Sequence, residues 1–167
     1  MFCRVISLLA LLCLCGFTQA NELKPFKTDG CSLWMDGPPA YPNLWRHCCV
    51  AHDLAYWQGG SEQQRATADK AIQACVFEAA DSKGMANYMH NMIRWGGSPY
   101  WMNHYRWGYG WNYWDGFANP RGYKIPSVKE QQVINQLLPD ALKVIADDAE
   151  KNPQDKVVEK LAKLLKK

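Results

Sequence analysis

The sequence predicts a mainly α-helical protein whose central element is an antiparallel pair of helices linked by disulfide bonds. Two stretches between residues 44 and 80 have the length and the boundary residues of helices, and a Gly-Gly turn joins them. Four cysteines remain once an export signal is set aside, and an even set in an exported chain indicates two disulfides. The rest of the 167-residue chain is long enough for one core and has no evident linker, so we expect a single domain over residues 21–167.

Residues 1–20 have the layout of a secretory signal peptide. A polar start with Arg4 precedes an apolar run from Val5 to Phe17, and a small residue, Ala20, stands at the expected cleavage site. The run is too short to span a bilayer. We therefore expect cleavage near Ala20 and a secreted or periplasmic protein. The cysteines that remain are Cys31, Cys48, Cys49 and Cys75.

The first elements after the signal are a loop and two helices. Residues 21–43 have few periodic apolar positions and many helix breakers, so they are predicted to form a loop. A helix is expected from Leu44 to Trp57, where a Gly-Gly pair stops it. Ser61 is a good N-cap with Gln64 three residues later, which predicts a second helix to about Ala80.

The remaining elements alternate between helix and an aromatic-rich segment. A third helix is expected from about Met85 to Arg94, where two glycines end it. Residues 95–123 are rich in Trp, Tyr, Gly and Asn and have no clear helical period. The C-terminal segment, residues 127–167, is predicted to be helical in three parts: Val128–Leu138, Pro139–Asp148 and Lys156–Lys167.

The residues that can carry chemistry are concentrated in the first helix, in Cys48-Cys49-Val50-Ala51-His52-Asp53-Leu54-Ala55-Tyr56. In a helix, residues four apart lie on one face. Cys48, His52 and Tyr56 therefore form one row, and Cys49 and Asp53 form the adjacent row. A base and a metal-binding carboxylate thus lie side by side, one turn after two cysteines.

The spacing on the second helix complements this motif. Cys48 precedes His52 by four residues, about 6 Å of helical rise, whereas Asp69 precedes Cys75 by six residues, about 9 Å. In an antiparallel pair, His52 lies opposite Asp69 when Cys48 lies opposite Cys75. The mismatch of about 3 Å is within side-chain reach. The register therefore supplies a carboxylate that can orient the imidazole.

The pattern Cys-Cys-x-x-His-Asp-x-x-Tyr resembles the active-site helix of secreted phospholipase A2 enzymes. The second helix is similar to this family as well, because Asp69 stands six residues before a Cys-x-Phe segment. The matched region covers residues 28–78. The resemblance implies the disulfide pairs Cys31–Cys49 and Cys48–Cys75, one of three connectivities open to four cysteines. It also implies a hydrogen bond from Tyr56 to Asp69.

The resemblance implies a calcium-dependent phospholipase A2 that hydrolyses the sn-2 acyl ester of glycerophospholipids. His52 would be the general base that activates water, and Asp69 would orient it. Tyr56 would complete the catalytic network by holding Asp69. The phospholipid membrane surface would be the substrate, and we expect a monomer.

Calcium is the expected cofactor, with Asp53 as its carboxylate ligand. Ca²⁺ prefers six to eight oxygen ligands, so Asp53 alone cannot form the site. The loop before the first helix would supply the others. The candidates are the carbonyl groups of Gly30, Ser32 and Trp34 and the side chain of Asp29.

Two alternatives compete with this interpretation. A zinc site could use His47, Cys48, Cys49 and His52, but adjacent thiols lack the usual ligand spacing and an oxidising compartment favours disulfides. The second alternative is a non-catalytic phospholipase A2-like protein that binds a membrane or a partner. Intact His52, Asp53 and Asp69 argue against it.

The aromatic segment and the last helix each have two interpretations. The Trp and Tyr residues of the segment could lie at a membrane interface or form a core over the helices, and the core is favoured because large aromatics are mostly buried. The amphipathic, Lys-rich helix Lys156–Lys167 could bind an anionic membrane or pack on the domain. The formal net charge is only +3 and no dense basic groove is evident, so we expect no nucleic-acid partner.

Overall fold

The computed structural model describes residues 22–154 of the chain. Within this range the protein has four α-helices and one two-stranded antiparallel sheet, which confirms the mainly α class. The elements are α1 (Arg46–Gln58), α2 (Glu62–Ala80), α3 (Lys83–Gly96), β1 (Trp114–Asp115), β2 (Asn119–Pro120) and α4 (Val128–Lys151). The predicted signal peptide and the predicted helix Lys156–Lys167 lie outside the described residues.

Hydrogen bonds near their first residues determine where the first three helices begin. The Ser61 side chain accepts from the Gln64 backbone and the Gln64 side chain accepts from the Ser61 backbone, so α2 has the predicted capping box. α1 begins two residues later than predicted, because the Trp45 N–H donates to the Asp36 carbonyl in the loop. α3 begins two residues earlier than predicted, because Ser82 caps it.

The predicted break at Pro139 is wrong, since α4 runs through it from Val128 to Lys151. A proline inside a helix removes one hydrogen bond and costs about 3 kcal/mol. Pro139 and Asn135, whose carbonyl loses its partner, are both exposed, so water can satisfy that carbonyl. The apolar stripe continues across the proline and packs on the core on both sides of it. Its members are Val133, Ile134, Leu137, Ala141, Val144 and Ile145.

The core consists of two clusters of buried side chains that lie on opposite sides of α1. The first cluster fills the space among α1, α2 and α3 and includes Cys48, Ile72 and Met89. The second cluster joins α1 to the N-terminal segment and to α4, through Trp57 and Ile134 among others. α1 is therefore packed from both sides, which fixes the orientation of the motif that it carries.

Two disulfides fasten α1 further. Cys31–Cys49 links the preceding loop to α1, and Cys48–Cys75 links α1 to α2. These are the two pairs that the resemblance implied, and their presence indicates an oxidising compartment. A separate property of residues 22–154 is that none of their helices has both the length and the apolar character of a membrane span.

The aromatic segment contains both buried and exposed tryptophans. Trp107 and Trp111 are fully buried, and their indole N–H groups donate to the carbonyls of Gly60 and Gln58 at the end of α1. The core interpretation is correct for these two residues. It is wrong for Trp95 and Trp101, which are 71% and 51% exposed.

Candidate active site

His52 and Asp69 face each other across the α1–α2 interface. His52 Nε2 lies 3.0 Å from Asp69 Oδ1, and the Tyr56 hydroxyl donates to the same oxygen over 2.8 Å. Burial and the Asp69 charge raise the pKa of Tyr56, so its phenol keeps the proton that it donates. Because an ionised carboxylate only accepts, Nε2 carries the imidazole proton and Nδ1 is the basic nitrogen.

Two arginines that were not predicted as site residues enclose the Asp69 carboxylate. Arg94 Nη1 donates to Asp69 Oδ2 over 2.7 Å, and Arg65 Nε lies 3.7 Å from the same oxygen. Arg65 is buried and also donates to the Tyr56 hydroxyl. Burial opposes ionisation of Asp69, but the hydrogen bonds from His52, Arg94 and Tyr56 outweigh it and lower the pKa of Asp69. The site therefore holds its carboxylate ionised in the protein interior.

The two arginines differ in whether the sequence alone could have predicted their contact with Asp69. Arg65 stands four residues before Asp69 on α2, a spacing that places both on one helix face. Arg94 reaches Asp69 only because α3 packs against α2, and nothing in the sequence fixes that contact. The first could have been found from the helical period and the second could not.

Arg94→Gln is expected to lower the free energy of unfolding by about 1.5 kcal/mol at pH 7, the low end of the range for a hydrogen bond to a charged group, because Arg94 is partly exposed. The pKa of Asp69 is lowered on folding, so its ionised form stabilises the protein above the unfolded pKa of about 4, and this effect is lost as pH falls further. The difference between Arg94→Gln and the native protein should thus shrink toward pH 2. Urea denaturation across pH 2 to 7 measures it.

The matched control for this experiment is Lys83→Gln, which removes an exposed charge from the same helix without contact to Asp69. It should leave the pH dependence of unfolding unchanged. A constant difference between Arg94→Gln and the native protein at all pH values would show that Arg94 does not act through the Asp69 charge.

Asp53 lies next to His52 but in a different environment. Its carboxylate is largely buried, and Thr28 Oγ1 donates to its Oδ2 over 2.7 Å. Burial raises the pKa of Asp53 to about 7, with the Thr28 hydrogen bond opposing and the nearby Asp29 charge adding to the rise. Among residues 22–154, Asp53 has no ion-pair partner. Thr28 was not among the predicted site residues, although it directly precedes Asp29 and Gly30 in the loop.

The loop residues predicted as metal ligands lie around Asp53. Gly30, Ser32 and Trp34 line one cavity together with Asp53 and His52. Asp29 lies on the other side, where it lines a second cavity with Asp53 and Ser32. The Asp29 side chain accepts a hydrogen bond from Ser32 Oγ, and its carbonyl group accepts from Arg46. The Asp29 side chain, which was the predicted ligand, has a second carboxylate oxygen that the Ser32 hydrogen bond does not use.

Arg46 holds this loop in place. Its guanidinium donates to the Asp29 carbonyl, to the Asp36 carboxylate and to the Asp148 carboxylate of α4. Gly30 has φ +85°, and a Cβ at this position would overlap both Arg46 and Asp36. A glycine is therefore required at position 30 for Arg46 and Asp36 to keep their contacts.

The cavity beside His52 is apolar and has a volume of about 180 Å³. His52, Asp53 and Tyr56 form its polar end. Its remaining walls come from the loop and from α3 and include Leu33, Trp34, Tyr88, Met92 and Trp95. These five side chains are 41% to 78% exposed, so the cavity opens through an apolar rim. Such a cavity suits a hydrocarbon chain that enters from an apolar phase.

The zinc alternative does not fit the residues that the structure brings together. His47 Nε2 lies 3.4 Å from the Sγ atoms of Cys48 and Cys75, but these two sulfurs form a disulfide and offer no thiolate. Cys49 is bonded to Cys31 and is excluded for the same reason. The zinc interpretation of the motif is therefore wrong.

No protein-family model, curated protein or solved structure matches this chain.

Proposed function

We propose that this protein is a calcium-dependent hydrolase of phospholipase A2 type, which cleaves the sn-2 acyl ester of glycerophospholipids. The observation that carries the proposal is the His52–Asp69 hydrogen bond at the polar end of an apolar cavity that also contains Asp53. The resemblance of the motif to secreted phospholipase A2 enzymes supports it. A membrane surface as substrate, a monomeric enzyme and export to the periplasm or the cell exterior belong to the same proposal.

In the proposed reaction His52 is the general base. Its Nδ1 takes a proton from a water molecule, whose oxygen attacks the ester carbonyl carbon. Asp69 and Tyr56 hold the imidazole in the required tautomer and orientation, and Arg65 and Arg94 hold Asp69. When the ester C–O bond breaks, the imidazolium returns the proton to the leaving alkoxide. The fatty acid and the lysophospholipid are then released.

The residues around Asp53 are compatible with a calcium ion. They offer hard oxygen donors, and Asp53 is a largely buried carboxylate with another carboxylate, Asp29, close enough to raise its pKa. A cation here would offset both charges. The Asp53 and Asp29 carboxylates and the carbonyl groups of Gly30, Ser32 and Trp34 would hold Ca²⁺. Bound there, it would supply positive charge for the oxyanion of the ester.

A non-catalytic membrane-binding protein is the second candidate, because the exposed apolar rim is suited to contact with a membrane. The rim would serve a lipid hydrolase equally well. The network at Asp69 supports the hydrolase, because a buried carboxylate with two arginines and a histidine contributes little to stability compared with apolar packing. A catalytic histidine needs a carboxylate to orient it, whereas binding to a membrane does not.

The test is release of fatty acid from mixed phospholipid vesicles with Ca²⁺ and with a chelator. The native protein should be active only with Ca²⁺. Asp53→Asn should lose about 100-fold or more of the calcium-dependent rate, the usual effect of removing a main electrostatic group. Both disulfides should remain, because neither involves Asp53.

Asp140→Asn is the matched control, since it neutralises an exposed carboxylate on α4. Calorimetric titration of Ca²⁺ into the native protein and both variants completes the experiment. Equal calcium affinity in Asp53→Asn and the native protein would remove Asp53 from the proposed site. No hydrolysis by the native protein with Ca²⁺ would contradict the proposed function.

A further inference from the structure

A second cavity, of about 850 Å³, adjoins the His52 cavity. The two cavities share Ser32, Asp53 and Tyr105 in their walls. The other walls of the second cavity come from residues 24–29 and from residues 102–113 of the aromatic segment. A molecule that extends past Asp53 would therefore occupy both cavities, with different parts of its structure in each.

The second cavity carries polar and cationic groups that the His52 cavity lacks. Lys24, Lys27, Asn103 and His104 are among the residues that line it, and the two lysines are exposed. Within the described part of the chain, neither lysine forms an ion pair. Arg106 adds a buried guanidinium, and three of its five N–H groups donate to the backbone carbonyls of Trp107, Gly108 and Trp111. Lys24 and Lys27 are exposed, so they are the cations that a ligand entering from solvent meets first.

The backbone that carries these lysines is fixed to the protein. The Lys24 N–H donates to the Gly110 carbonyl over 2.8 Å, and the Lys24 carbonyl accepts from the Trp57 indole over 2.7 Å. The Lys27 carbonyl accepts from the Tyr109 hydroxyl over 2.7 Å. Only the two exposed side chains must become ordered when a ligand binds, which keeps the entropic cost of binding small.

The charges in this cavity are unevenly distributed. Asp29 and Asp53 also line it, and both lie beside the part that the two cavities share. In the proposed function these carboxylates hold the calcium ion. The charge that remains for a ligand is then that of Lys24 and Lys27, and ammonium groups are common ligands of phosphate oxygens.

We propose that the second cavity receives the headgroup of an anionic phospholipid, whose phosphodiester lies against Lys24 and Lys27 while an acyl chain occupies the His52 cavity. This inference rests on the proposed function and specifies its substrate class. A headgroup that carries its own cation, such as choline, would place like charge beside the lysines and is disfavoured. The preferred substrate thus has a phosphodiester and no compensating ammonium group.

The test uses short-chain phosphatidylglycerol and phosphatidylcholine as monomers in solution, so that no charged interface contributes. The native protein is expected to favour phosphatidylglycerol by about tenfold in kcat/KM, an effect that two partly solvated charge contacts can supply. The double variant Lys24→Gln and Lys27→Gln should reduce this ratio to about one through a higher KM for phosphatidylglycerol. Its backbone contacts to Gly110, Trp57 and Tyr109 do not involve the altered atoms.

The matched control is Lys70→Gln and Lys129→Gln, which removes the same charge from exposed positions on α2 and α4. It should keep the native ratio. An unchanged ratio in the Lys24/Lys27 variant, or a native preference for phosphatidylcholine, would overturn the proposal.

A binding experiment separates this proposal from the proposed function. Calorimetric titration with glycerophosphoglycerol, the soluble headgroup, requires no hydrolysis. Binding to the native protein and the control variant, with loss in the Lys24/Lys27 variant, would support the cavity assignment even if no lipid is hydrolysed. Absence of binding would overturn it. Inorganic phosphate that binds as tightly as glycerophosphoglycerol would also overturn it, in favour of a site for free phosphate.

Discussion

Replacing His52 with Gln is expected to lower the turnover of phospholipid by about two to four orders of magnitude, the usual effect of a lost general base. Glutamine can keep a hydrogen bond to Asp69, which now joins His52 Nε2 and Asp69 Oδ1 over 3.0 Å. It has no nitrogen that can take a proton from water. The fold should remain, so circular dichroism of the variant should match the native spectrum. Fatty-acid release at saturating Ca²⁺ measures the effect.

His47→Gln is the control for this variant, since His47 is exposed on the same helix and lies outside the His52 cavity. It should retain the native rate. If folded His52→Gln hydrolyses lipid about as fast as the native protein, then His52 is not the base and the mechanism proposed here is incorrect.

Asp69→Asn is expected to have the largest effect on stability, a loss of about 3 to 5 kcal/mol in the free energy of unfolding. Asp69 is completely buried, and the buried Arg65 and the partly exposed Arg94 both depend on its charge. Asparagine has the same shape but no charge, so the variant leaves a buried guanidinium without compensation. Urea denaturation at pH 7 without calcium measures the loss independently of any activity.

Asp147→Asn is a suitable comparison for this measurement. Asp147 pairs with Lys143 on the surface of α4, where solvent screens the charges. Its replacement should leave the denaturation midpoint unchanged within error. A similarly small effect of Asp69→Asn would mean that the two arginines are stabilised by their other hydrogen bonds alone.

The helical framework could be predicted from local signals in the sequence. Ser61 and Gln64 form a capping box that depends on four consecutive residues, and the start of α2 followed from it. The opposition of His52 and Asp69 required only helical rise and an antiparallel turn, and both side chains meet as that register requires. Local chemistry therefore determined the elements that carry the candidate catalytic pair.

The features that escaped prediction depend on contacts between distant segments. Pro139 normally ends a helix, and α4 continues through it because apolar residues on both sides of it pack on the second core cluster. Arg94 joins the site because α3 packs on α2. The two cavities likewise arise where the loop, α3 and the aromatic segment meet. None of these follows from the period or spacing within one segment.

The contacts of Arg46 have a consequence for the order in which the protein folds. One guanidinium joins the Asp29 carbonyl and Asp36 in the loop to Asp148, which is 102 residues further along the chain. Contacts between such distant residues form late, since a long segment must be ordered before they close. During synthesis the loop beside His52 would thus gain its final support only after α4 has emerged. Shorter nascent chains would carry the whole helical motif and still lack a finished site.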